Sequence, residues 1–124
     1  MPAEYGIDEA RKLVEIRLTG VVTAEEYWTV REQLAKDPLY RDTFDELVDA
    51  MDATKFTVGS AGVRDAATSP WLANDVRRAA VAGTEEAYGI FRMFQIVSGQ
   101  AGVRVFRSRA AAERWLETGV EQED

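Results

Sequence analysis

Apolar residues recur with period two at the start of this chain and with a helical period further on, and that change of rhythm constrains the fold more than any other feature. Tyr5 and Ile7 flank Gly6, and Val14, Ile16 and Leu18 alternate with Glu15 and Arg17. Successive side chains of a strand point to opposite faces, so the pattern predicts a hairpin with one wet face. Asp8 to Arg11 supply its connection, and Gly20 is expected to close the second strand. Thr23-Ala24-Glu25-Glu26 then has capping-box spacing. The helix it opens carries the stripe Tyr27, Val30 and Leu34 and ends at Asp37-Pro38, because the residue before proline is pushed out of helical space.

The alternation of strand and helix continues. Phe44 to Met51 contains a short, mostly apolar run that suits a buried strand, and Asp52 to Gly59 is expected to be the longest irregular stretch. A helix is predicted from about Ser60 to Thr68, a strand over Arg77–Ala82, a helix over Glu85–Val97 capped by Thr84 and Gly99, a strand over Val103–Phe106 and a last helix over Ser108–Glu117. A hairpin followed by alternating strands and helices implies a mostly parallel sheet with right-handed crossovers. The chain is 124 residues long and 46 % apolar, enough for one core, so residues 1–118 are read as one α/β domain and 119–124 as a flexible acidic tail.

Composition narrows function. There is no cysteine and no histidine, which removes a Ser-His-Asp triad, a Cys-His pair and the usual zinc sites; no cofactor or metal is expected. The net charge of −7 opposes general phosphate-backbone binding, so nucleic acid is not an expected partner. The start has no basic region leading into an apolar run, and a cytoplasmic protein is expected.

Three stretches taken together resemble the SpoIIAA-like family, with STAS/SEC14-type domains. The first is Thr23-Ala24-Glu25-Glu26-Tyr27 after a one-faced strand. The second is Phe44-Asp45-Glu46-Leu47-Val48-Asp49, similar to the family's F-x-x-L-V-D strand. The third runs from Ala80-Val81-Ala82 through Ala87-Tyr88-Gly89-Ile90-Phe91-Arg92-Met93-Phe94 to Val105-Phe106 and Ala112–Leu116. The resemblance implies a small domain with a five-stranded mixed sheet, about four helices mainly on one face, and a non-enzymatic role in protein interaction or ligand sensing. Regulators of this type that are switched by a kinase carry an Asp-Ser pair at the start of the helix after the third strand. Here that region reads Phe56-Thr57-Val58-Gly59-Ser60, which leaves Thr57 and Ser60 as candidate phosphoacceptors or, more simply, as caps of that helix.

Several groups of residues are candidates for chemistry. Asp45, Glu46, Asp49 and Asp52 are the densest acidic cluster, and Asp49 with Asp52 would form an acid/base or Mg²⁺ pair only if the chain turned after Met51. With the arginines 77, 78, 104, 107 and 109 as an anion site, they define the alternative reading, an enzyme acting on a small phosphorylated substrate. The helix Glu85–Val97 carries more apolar residues than one buried stripe needs. Its excess calls for a cover: the chain's own core, a second copy in a homodimer, a partner protein, a small apolar and lipid-like ligand, or a membrane surface in weak peripheral contact at most. Gly89 in its middle costs about 1 kcal/mol relative to alanine, which suggests close approach of a backbone or ligand. Trp28, Tyr88, Phe91, Arg92 and Phe94 are therefore the expected ligand- or partner-binding residues, with Trp71, Tyr27 and Tyr40 as further aromatics of a pocket.

Overall fold

The computed structural model describes residues 3–69, 76–99 and 102–120. The hairpin forms as its alternation requires: β1 (Ala3–Asp8) pairs antiparallel with β2 (Leu13–Thr23), with Tyr5 opposite Ile16 and Ile7 opposite Val14. In the connection the Asp8 carboxylate accepts from the Arg11 N–H at 3.1 Å, and Lys12 takes a left-handed conformation. Helix α1 (Ala24–Lys36) starts with the expected reciprocal cap, the Thr23 hydroxyl accepting from the Glu26 N–H and donating to the Glu26 carboxylate.

Strand β3 (Asp45–Thr57), helix α2 (Gly59–Ala67), strand β4 (Arg78–Ala82), helix α3 (Glu85–Ser98), strand β5 (Val103–Phe106) and helix α4 (Arg109–Thr118) complete the chain. Thr84 and Ser108 cap α3 and α4, and Gly99 ends α3 in the left-handed conformation. The strands lie in the order β1-β2-β3-β4-β5, and every pair after the first is parallel. The chain is therefore one α/β domain on a five-stranded mixed sheet.

Strand order decides where the helices go. Each parallel connection steps one strand in the same direction, and right-handed crossovers then place α1, α2 and α3 on the same face. Helix α4 follows the last strand and packs on the other. Two cores result. One gathers Val14, Ile16, Leu18, Val22 and Ala50 under Val30 and Leu34 of α1; the other gathers Leu13, Leu47, Ala79, Val81 and Phe106 under Ala111, Ala112, Trp115 and Leu116 of α4. Neighbours in sequence serve opposite faces, as the pleat demands.

Two expected boundaries are wrong for one reason. Gly20 does not end β2, and 52–59 is not a loop: the two strands continue side by side, Val21 to Thr23 opposite Lys55 to Thr57, through register shifts near Gly20. Backbone pairing carries this extension, while Asp52, Thr54 and Lys55 point to solvent and conceal it from a hydropathy pattern. Trp71 and the tail residues 121–124 lie outside the described residues.

Candidate ligand pocket

A sheet wound in one direction has no point at which the strand order reverses, so it lacks the crevice at the strand carboxyl ends where doubly wound sheets hold ligands. Asp49 and Asp52 illustrate the consequence. Strand β3 runs on through Asp52 without the turn the pair required; Asp49 is 8 % exposed, accepting from Arg109 Nη1 at 2.6 Å and from the Met51 N–H at 3.0 Å. Among the described residues no three carboxylates gather as a metal site. The five arginines do not gather at one place either: Arg77 and Arg104 border one polar cleft with Asp45, and the other three lie elsewhere. Arg77 bonds the carbonyl at the end of α4, Arg78 lies beside Glu46, Arg107 reaches Glu85 and stacks on Tyr88, and Arg109 is held by Glu15, Asp49 and Glu113.

The space for a ligand lies instead between the sheet and its three-helix face. A cavity of about 80 Å³ is bounded by Tyr27 and Trp28 of α1, Gly62, Val63 and Ala66 of α2, Ile90, Phe91 and Phe94 of α3, and Leu18, Val48, Phe56 and Ala80 on the sheet. Its walls are almost wholly apolar. Tyr27 meets Trp28 edge-on at 6.2 Å between ring centres, and Phe56 meets Phe91 in the same manner at 6.0 Å.

The polar exception sits at its base. Arg31 of α1, 4 % exposed, forks onto Glu46 of β3, 1 % exposed, with N–O distances of 3.0 and 2.6 Å. Its Nε donates to the Tyr27 hydroxyl at 3.0 Å, and Arg78, the register neighbour of Glu46 on β4, approaches the same carboxylate at 3.7 Å. Burial by itself would push the Glu46 carboxyl up, but Arg31 and Arg78 outweigh it and hold it below the ordinary carboxylate range. Burial also opposes the Arg31 charge, and Tyr27 and Glu46 more than compensate. Both partners thus remain ionised, and the two-pronged geometry fixes α1 against the sheet at the pocket.

Of the residues expected to bind, the structure brings Trp28, Phe91 and Phe94 to this cavity and carries Tyr88 and Arg92 away from it. Tyr88 lies under the Arg107 guanidinium, 3.8 Å from ring centre to charge, and Arg92 is exposed and bonded to Gln95 at 2.6 Å. Tyr40 packs on the α1 core instead. Thr57 and Ser60 are both exposed and flank the start of α2; neither caps it, since the cap position is Val58 and no side chain bonds there. The open flank of Gly89 also differs from expectation: among the described residues a methyl group at that position would meet no atom within 4 Å, so none of their backbone approaches it. Ala87 alone of α3 is fully buried, while Met93, Val97 and Ile96 are 38, 40 and 69 % exposed.

The sequence pattern put Glu46 in an acidic cluster and Arg78 among the anion-site arginines and passed over Arg31, although one signal of their meeting was present. Arg31 falls one turn after Tyr27 beside the apolar stripe of α1, and Glu46 interrupts an apolar strand; charges in such places must find each other.

No helix among the described residues is long and apolar enough to cross a membrane. No curated protein matches the chain significantly. The crystal structure of an uncharacterized protein of the DUF3478 family from Shewanella loihica PV-4, which has a SpoIIAA-like fold, superposes with a TM-score of 0.61 at 16 % identity, over 92 % of this chain and 93 % of that one. The SpoIIAA-like family model matches residues 13–117, from the second strand through the last helix, and the chain belongs to the SpoIIAA-like family.

Proposed function

We propose that this protein is a non-enzymatic regulatory or sensing domain that binds a small apolar ligand between its sheet and the helices α1, α2 and α3. The single observation that supports this reading most is the composition of the cavity: aromatic and aliphatic walls over the two-pronged Arg31–Glu46 pair. Such a site rewards apolar contact and offers no nucleophile or free acid/base pair to a substrate. The volume of about 80 Å³ is roughly half that of an apolar cavity able to take up benzene, ~150 Å³, so a ligand enters only as the walls move apart. Family membership supports the regulatory half of the reading.

Native mass spectrometry of the purified protein, with organic extraction, tests it directly. A retained apolar molecule, displaced by Phe91→Trp, is the expected result; absence of any retained molecule together with no uptake of a fluorescent fatty acid counts against it. A second reading has its own observation. The outward side of α3, with Met93, Ile96 and Val97 exposed beside the open flank of Gly89, suits a partner helix, in the simplest case that of a second copy. Sedimentation velocity at high micromolar concentration, with Ile96→Glu as the control, separates a dimer from a monomer.

A further inference from the structure

The cavity as it stands is too small for most molecules that its walls would suit, and helix α2 is the wall built to move. It connects β3 to β4, yet it packs chiefly on α3, and only Val63 and Ala67 of its nine residues are buried. Its inner side supplies Gly62, Val63 and Ala66 to the pocket, so α2 is one wall of the cavity. Its start is weakly fastened. Val58 at the cap position makes no side-chain hydrogen bond there, and Gly59 follows at φ +68°, a conformation that costs glycine little and other residues much. On the opposite side of the cavity, α1 is pinned to the sheet by the Arg31–Glu46 fork. One wall is thus fixed and its neighbour is not.

We propose that α2 is a lid, swinging about Val58–Gly59, and that ligand enters between α1 and α2 beside Trp28. The closing contact is Gly62 against the first residue of α1: a β-carbon on Gly62 would lie 3.9 Å from the β-carbon of Ala24. Gly62 lets the two helices meet there, and opening the lid separates them. The proposal rests on the pocket being the binding site, and the two ideas fail in different ways.

The Ala24–Gly62 contact also provides the test, because 3.9 Å lies within the β-carbon separation of a disulfide, about 3.5–4.5 Å, and the chain has no cysteine of its own. The variant Ala24→Cys/Gly62→Cys is compared oxidised and reduced, with disulfide formation checked by mass, or with the thiols bridged by dibromobimane if they do not oxidise. A new side chain at Gly62 also stands 3.0 Å from Val58 Cγ1, so circular dichroism of the reduced form establishes that the fold survives. Stopped-flow uptake of cis-parinaric acid, a slender fluorescent fatty acid, is the readout. The reduced form should take up the probe as the natural protein does, and the locked form should do so at least about tenfold more slowly, with reductant restoring the rate. Equal rates in the locked and reduced forms overturn the lid and leave the pocket standing. Failure of the natural protein to bind the probe at all overturns the pocket and the lid together.

Discussion

The two faces of the sheet are built from the same strands and yet finished differently. On one, the single helix α4 lays Ala111, Ala112, Trp115 and Leu116 directly on Leu47, Ala79, Val81 and Phe106, and Trp115 meets Phe106 at 5.8 Å between ring centres. On the other, three helices share the area; α1 reaches the sheet through Val30 and Leu34, α2 packs chiefly on α3, and a cavity remains between the helices and the strands. Close packing stabilises, while imperfect packing leaves room for a molecule that is not part of the chain. The comparison teaches that a face covered by three helices can carry a full core and still leave a cavity beside it, and that binding is to be sought there.

The largest effect should come from breaking the charge pair that anchors the three-helix face. Glu46→Ala leaves Arg31 and Arg78 buried without their carboxylate and should destabilise by about 3–5 kcal/mol in urea denaturation. The same carboxylate gives that face a pH dependence. Its pKa is lowered on folding, so its contribution is complete above the ordinary glutamate value and is lost as pH falls through and below about 4.3. Stability measured against pH should therefore decline less steeply on acidification in Glu46→Gln than in the natural protein.

Truncating one aromatic residue on each face tests the contrast itself. Trp115→Ala removes a side chain 6 % exposed from close packing and should cost about 3–5 kcal/mol without changing affinity for an apolar probe. Phe91→Ala, half-buried beside the cavity, should cost about 1–2 kcal/mol and change probe affinity clearly. Equal costs at the two positions would remove the distinction between a packed face and a hollow one.

The smallest effect should come from adding volume on the cavity side of β4, read against the neighbouring residue on its packed side. Ala79→Leu forces extra methylenes under α4 and should destabilise by about 1–3 kcal/mol. Ala80→Leu points its methylenes into the cavity and should change stability by less than about 1 kcal/mol while competing with the probe. Thermal unfolding and fluorescence titration of the pair give both readouts.

Legibility followed the physics of each element. Capping at Thr23 and Thr84, the stop before Pro38 and the alternation of β1 and β2 are local rules, and the structure carries them out within a residue or so. That Trp28, Phe91 and Phe94 line one cavity was also legible, because an aromatic beside an already sufficient apolar stripe has to go somewhere. Tyr88 was not distinguishable from them, since its removal from the cavity depends on Arg107, nineteen positions away in the chain. The long pairing of Val21–Thr23 with Lys55–Thr57 was equally hidden, because backbone hydrogen bonds leave no mark on hydropathy.

By itself, then, the sequence determined a hairpin and three strand–helix alternations before the closing strand and helix, with a chemistry that excludes thiol, imidazole and their metal sites. Those outcomes depend on residue type and on spacings of a few positions. Tertiary structure alone decided that the strands would follow one another in order, that α1, α2 and α3 would share a face, that Arg31 and Glu46 would meet, and that a cavity would remain beside α2. Each of these is a contact between residues separated by many positions, chosen by how whole elements fill space against one another, and no local pattern encodes the gap that such packing leaves.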